Sequence, residues 1–269
     1  MAIKEMPVWK WALLLIASFF LAILLYAFGT LATMAPSGWA RWIFSAFAGG
    51  AMLWVYAVFV HWFEQHWPQD LPLDKAWSHT AAGMGAGLGY FVIVVALMMA
   101  AGCYRIVGYG APVVDILDAF FMFLVVAVGE ELMFRGILFR WIDEKWGFAA
   151  ALVVSALLFG LIHITNDNAT LWSSIAIAIE AGLLLGAAYK YSGTLWVPIG
   201  IHWTWNFSQG NIFGFEVSGT NAGASLIHSA REGSVWLTGG AFGAEASVIA
   251  VVVGAAVSAW LVWKICKRA

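Results

Sequence analysis

The sequence predicts an all-α polytopic membrane protein, about eight transmembrane helices enclosing an intramembrane polar cavity, and three observations carry that expectation. The 269 residues are 63% apolar and 10% charged, with a mean hydropathy of +0.86, whereas roughly a quarter of the residues in soluble domains are charged. The apolar residues gather in eight stretches, near 11–34, 42–62, 81–103, 119–141, 147–164, 170–189, 194–213 and 244–263. Most of these reach the roughly 20 residues a spanning helix requires. The third observation is the run Gly129 to Arg135, where Glu130, Glu131 and Arg135 interrupt an otherwise apolar stretch. Ionisable groups at membrane depth cost at least a few kcal/mol each and are functional candidates by default.

The first stretch follows Lys4 and Lys10 and ends among small residues near Ala35. Its apolar core exceeds the 7 to 15 residues of a signal-peptide core, so it reads as an uncleaved anchor. Between the second and third stretches, Glu64 to His79 is a polar, proline-broken loop with His61, His66 and His79 around it. Solvated interfacial histidines are the better reading there than a surface metal site. Gly83, Gly85, Gly87 and Gly89 lie inside an apolar span with no preceding strand, which argues against a phosphate loop. The pairs Gly85 with Gly89 and Gly182 with Gly186 have the spacing that lets helices approach closely. Segment 211–244 is glycine-rich and non-periodic, and reads as a loosely structured outer loop.

Basic residues collect on the cytoplasmic side of membrane proteins. With the N-terminus inside, nine basic residues (Lys4, Lys10, Lys75, Arg140, Lys145, Lys190, Lys264, Lys267 and Arg268) fall on the inner face, against Arg41, Arg105 and Arg231 outside. That asymmetry predicts an even number of spans with both termini cytoplasmic. Most tryptophans fall near span ends, where indole prefers the interface, but Trp54, Trp203 and Trp205 do not. No compositional break divides the chain, so residues 1–269 read as one transmembrane domain. Scattered cations and a net charge of −2 argue against a nucleic-acid partner. Cys103 and Cys266 suggest neither a disulfide framework nor a thiolate metal site, and the residues after Cys266 do not suit prenylation.

Glu131 and Arg135 are spaced i, i+4 and can pair on one helix face. Glu130 lies about 100° around the helix and is left without that partner. His163, His202 and Asn206 lie in neighbouring spans, the last two again i, i+4, and Glu180 is a further intramembrane acid with no assigned role. A rise of about 1.5 Å per residue puts Glu130 about 15 Å and His202 about 12 Å from the inner face, but His163 about 24 Å, a poor match in depth.

If these groups converge, they have the parts of a peptide-cleaving site. Glu130 takes a proton from water, His163 orients that water, and Asn206 with His202 stabilises the oxyanion. A zinc variant would use Glu130, Glu131, His163 and His202, three as ligands and one glutamate as base. No His-Glu-x-x-His helix is present, and metal-free chemistry with no cofactor is favoured. A packing scaffold or immunity protein, and an ion or proton path, are the competing classes. Ser155 and Ser208 lack a nucleophile context, and Asp115 and Asp118 sit at a helix end beyond the outer face.

The order and context of these residues resemble the CAAX protease and bacteriocin-processing family of intramembrane proteases. Glu130, Glu131 and Arg135 match its Glu-Glu-x-x-x-Arg motif, Phe159 to His163 its Phe-x-x-x-His, Gly182 to Tyr189 with Gly193 to Pro198 its third region, and His202 to Asn206 its His-x-x-x-Asn. The resemblance covers about 118–207, and 238–247 more weakly. It implies Glu130 and His163 as water-activating residues, His202 and Asn206 as the oxyanion site, and Glu131 with Arg135 in support. It also implies a bacterial member acting on a peptide or protein that reaches the lipid bilayer, with the oligomeric state open. The expectation is an endopeptidase of the cytoplasmic membrane whose water-filled cavity opens towards the cytoplasmic half.

Overall fold

The computed structural model describes residues 3–268, and the Lys4 side chain lies outside what it describes. The long apolar runs become α1 (Val8–Leu31), α2 (Trp39–Glu64) and α3 (Ala76–Ala100), followed by a short strand β1 (Tyr104–Tyr109). Helix α4 (Val113–Glu131) continues through a π-helical segment, Leu132–Phe139, into α5 (Arg140–Trp146). Then come α6 (Phe148–Ile162), α7 (Leu171–Ile177) joined through the π segment Ala178–Gly182 to α8 (Leu183–Ser192), and α9 (Trp196–Phe207) with its π extension Ser208–Ile212. Strand β2 (Ile227–Arg231), a short α10 (Val235–Thr238) and α11 (Val248–Cys266) complete the chain.

Among the described residues, six helical stretches are long and apolar enough to cross a membrane: Val8–Met34, Trp39–Glu64, Leu73–Ala100, Phe148–Thr165, Leu171–Ser192 and Val248–Cys266. The rod 113–146 and helix α9, which carry the Glu130–Arg135 and His202–Asn206 motifs and correspond to the other two expected spans, do not meet that measure. The rod carries several charged residues along its length, and α9 has only 12 residues. The protein is thus all-α and multi-pass, and many large apolar side chains, Phe20, Leu24, Phe28 and Phe47 among them, point outward as lipid-facing residues do.

The segment 211–244 departs from its expectation. Residues Ile227 to Arg231 pair antiparallel with β1, and Arg231 is bound to Glu216 at 2.6 Å. Strands β1 and β2 are more than a hundred residues apart in sequence, so no local hairpin signal announced them. Burial and the hydrogen bonds from Arg231 act in opposition on Glu216, and the net effect holds its carboxyl below the usual range.

Helix α9 is set in place by glycines. A β-carbon on Gly83 would collide with the Val197 carbonyl, one on Gly87 with that of Ile201, and one on Gly200 with that of Thr80. The expected close-packing pair Gly85 and Gly89 meets nothing within 4 Å. The glycine run is apolar on every side, so hydropathy gives it no phase. Gly182 and Gly186 do lie close to α6, against Ala156 and Leu152. Thr204 Oγ1 also donates to the Met84 carbonyl at 2.8 Å. With Gly200 and Thr204 committed to α3, His202 and Asn206 point about 200° away, towards α4.

Candidate active site

Glu131 is the anchored carboxylate. Arg135 Nη1 donates to its Oε1 at 2.8 Å, and both side chains are fully buried. Arg135 also donates to the Gly182 carbonyl at 3.2 Å and lies 4.7 Å over the Phe159 ring. The same Glu131 oxygen accepts from His202 Nδ1 at 2.8 Å. One carboxylate therefore ties together α4, the π segment before α8, and α9. A π segment begins directly after Glu131, another holds Glu180, and a third follows Asn206 by two residues; such bulges favour functional sites.

Glu130 is treated differently. It stands 3.9 Å from His202 Nε2, too far for a hydrogen bond, and its Oε2 has no partner among the described residues. It lines a cavity of about 400 Å³ together with His163, His202 and Asn206. The depth mismatch expected for His163 does not keep it away. Helix α6 ends at Ile162 and His163 opens a 3-10 turn, so its ring enters the cavity from the wall opposite the termini. His163 Nδ1 lies 2.6 Å from the Phe159 carbonyl. A carbonyl only accepts, so Nδ1 carries the hydrogen and Nε2 keeps a lone pair. By the same logic the Glu131 carboxylate fixes the hydrogen on His202 Nδ1. Asn206 is buried, and its amide makes no hydrogen bond to the described residues.

Two wall residues were not anticipated. Tyr26 of α1 lies against Gly129, where a β-carbon would clash with its ring, and its hydroxyl reaches Glu130. A glycine next to the unpaired acid was the sequence signal for that approach. Glu245 also lines the cavity, accepting from Trp205 Nε1 at 3.1 Å and from Ser218 N and Oγ at 2.8 and 3.0 Å. Ser218 sits in the left-handed region with φ 48°. Its carbonyl accepts from Asn166 Nδ2 at 2.9 Å. Trp205, away from any span end, is thus a wall residue stacked on Tyr90 at 3.9 Å.

Other expected residues stand apart. Glu180 lies outside the cavity, covered by Gly254 of α11 and bonded by the Tyr90 hydroxyl at 3.0 Å. Asp118 is not beyond the helix end as expected. It is buried within α4, accepting from Gly38 N, Trp42 Nε1 and Arg41. His61 stacks on Trp67 and His79 meets Thr194, so the loop histidines do not converge. The zinc set fits poorly as arranged. Glu131 Oε1 is already held by Arg135 and His202, and among the described residues no three His, Cys, Asp or Glu side chains form a metal-holding group.

The direction of the cavity also differs from expectation. Its loop walls are Asn166, Val217, Ser218, Thr220 and Glu245. The termini belong to the other face, where Lys145 donates to the Met6 carbonyl and Arg268 to the Tyr191 hydroxyl. The cavity therefore runs from mid-helix towards the face opposite both termini, whereas the motif helices alone suggested the near half. The walls that decide this come from outside the motifs.

Residues 112–208 match the family model described as type II CAAX prenyl endopeptidase Rce1-like. That segment holds the Glu130–Arg135, Phe159–His163 and His202–Asn206 motifs. A protein of Bacillus subtilis described as a putative membrane peptidase, YdiL, is 26% identical over 126 residues, 42% of this chain and 49% of that one. The match thus spans about half the length of the curated relative. No solved structure gives a significant match. The cavity residues Ser218, Thr220 and Glu245 lie beyond the segment that matches the family model.

Proposed function

We propose that the chain is an intramembrane endopeptidase in which Glu130 activates water to cleave a peptide bond. The observation that carries this reading is the contrast within one pair of neighbours: Glu131 is bound through one oxygen by Arg135 and His202 and its other, unpartnered oxygen is sealed away from the cavity, while Glu130 lines a cavity shared with two imidazoles and a free amide. A cavity of about 400 Å³ admits a peptide backbone and several waters, each occupying about 30 Å³.

In this mechanism a water lies between Glu130 and the lone pair of His163 Nε2. Glu130 accepts its proton as the water oxygen bonds to the scissile carbonyl carbon. The Asn206 amide donates to the developing oxyanion. His202 donates from Nε2 only when its ring is the imidazolium, since Nδ1 is committed to Glu131. Glu131 with Arg135 forms a neutral pair, so the imidazolium charge is balanced by Glu130. Collapse of the tetrahedral intermediate breaks the C–N bond, and the proton held by Glu130 passes to the leaving nitrogen.

The test uses purified wild type and Glu130→Gln with a pool of membrane-tethered peptides, reading new N-termini by mass spectrometry. Cleavage should fall by about 10²–10⁴-fold, the range for loss of a general base, while thermal stability is unchanged. Equal cleavage by both proteins, or an unfolded variant, would favour the scaffold class. A chelator arm addresses zinc: stoichiometric metal lost together with activity would overturn the water-only mechanism.

A further inference from the structure

We infer that the cavity receives its peptide from the extracytoplasmic side of the membrane, so that the substrate is a segment exported or exposed outside the cell rather than the cytosolic tail of a lipid-modified protein. The substrate class rests on the proteolytic reading above, whereas the sidedness stands on geometry and charge.

Most helices contribute to the cavity from the same end, and α8 reaches it no deeper than Leu185. The rod 113–146 contributes Phe123 and Val126 from its half nearer β1 and Glu130 from its middle, and α9 contributes His202 and Asn206 from the half away from Leu195. Leu195 belongs to the terminus face, where its N–H donates to the Asp70 carbonyl at 2.8 Å. Helix α6 delivers its cavity residues at its end distal to Gly147. No loop residue of the terminus face lines the cavity among the described residues.

Charge then orients this axis. Nine of the thirteen Lys and Arg residues belong to the terminus face in sequence, and three to the cavity face, and such a bias marks the cytoplasmic side. The three cavity-face arginines are each held by a carboxylate, Arg41 by Asp118, Arg105 by Glu232 and Arg231 by Glu216. They are poorly placed to attract the anionic inner leaflet. On the other face Lys264 and Lys267 stand at the end of α11, over Trp263. The mouth of the cavity and the cytoplasm therefore lie on opposite sides.

The chain supplies half of the test, because Cys266 is exposed at the terminus face and Cys103 is buried. Thr220→Cys adds a reporter at the mouth, where Thr220 is exposed. A membrane-impermeant maleimide applied to intact cells should label Thr220→Cys and leave Cys266 unmodified, with the reverse in inverted vesicles. Labelling of Cys266 in intact cells, without Thr220→Cys, overturns the sidedness whatever the activity. In parallel, wild type and Glu130→Gln are expressed with a single-span reporter bearing the best-cut peptide of the pool either just outside or just inside the membrane. Glu130-dependent cleavage of the outer reporter alone supports the inference. Cleavage of the inner one alone overturns it while upholding the protease. Cleavage of neither overturns the substrate class through the proteolytic reading, and the labelling still decides the sidedness.

Discussion

Two buried clusters in this molecule use the same kinds of side chain to different ends. On the terminus face, Arg140 donates to both oxygens of Glu64 at 2.7 and 2.6 Å. Beside it, Asp70 Oδ2 accepts from the hydroxyls of Tyr56 and Tyr189, each at 2.9 Å. This latch ties the loop after α2 to the ends of α5 and α8. Behind the cavity wall, Arg135 likewise serves one carboxylate, Glu131, but the neighbouring Glu130 faces solvent-sized space. A guanidinium–carboxylate pair is thus no sign of chemistry in itself. The informative feature is the acid that the pair does not include.

The largest effects on stability should separate the two pairs. Arg135 and Glu131 are both fully buried, so Glu131→Ala leaves an uncompensated charge at a cost of about 3–5 kcal/mol. Loss of folded protein in detergent extracts, measured by size-exclusion yield, is the expected outcome. Glu64→Ala should cost less, because Arg140 is 14% exposed and water and Glu144, at 3.6 Å, can take up the guanidinium. Equal losses in the two variants would mean that exposure does not distinguish the pairs.

Glu245 should act on binding. It positions the loop tip by accepting from Ser218 and holds Trp205 against the cavity. Each hydrogen bond lost with this acceptor costs about 0.5–1.5 kcal/mol. Glu245→Ala is expected to raise KM about tenfold or more with little change in kcat, and Glu245→Gln should restore part of the loss. A fall in kcat alone would place Glu245 in the chemistry instead.

The difference between the clusters was only partly legible in sequence. The i, i+4 spacing of Glu131 and Arg135 foretold their pairing, and the 100° offset of Glu130 foretold its isolation, because both follow from one helix. Tyr26, Glu245 and the direction of the cavity depend on which faces of separate helices meet. Helix α3, apolar all round, left its phase open, and the contact runs through Gly83 and Gly87 rather than Gly85 and Gly89. The depth estimate for His163 assumed that the groups must share a level. The cavity instead extends along the helices, so His163 meets it from the distal wall. Glu64 to His79 read as a solvated loop because nothing in it marks Asp70 for burial; its partner Tyr56 lies back inside the preceding helix and Tyr189 in one far along the chain.

The smallest expected effect concerns pH and tests the latch alone. Burial pushes the Asp70 carboxyl above its usual range, against the opposing charge of Arg140 and the hydroxyls of Tyr189 and Tyr56. A carboxyl raised in the folded state binds its proton more tightly there than in the unfolded chain. Its contribution to stability is therefore full below the ordinary carboxylate value of about 3.9 and is lost as pH rises through the raised folded value. Asp70→Asn retains an acceptor for the tyrosine hydroxyls without titrating. Thermal midpoints in detergent, followed upward from about pH 4, should fall more in the wild type than in Asp70→Asn. Cavity groups are common to both proteins, so the difference between the curves isolates Asp70. Parallel curves would show that Arg140 keeps Asp70 ionised throughout, making the latch a second fully charged cluster and narrowing its contrast with the cavity to the placement of Glu130 beside His163, His202 and Asn206.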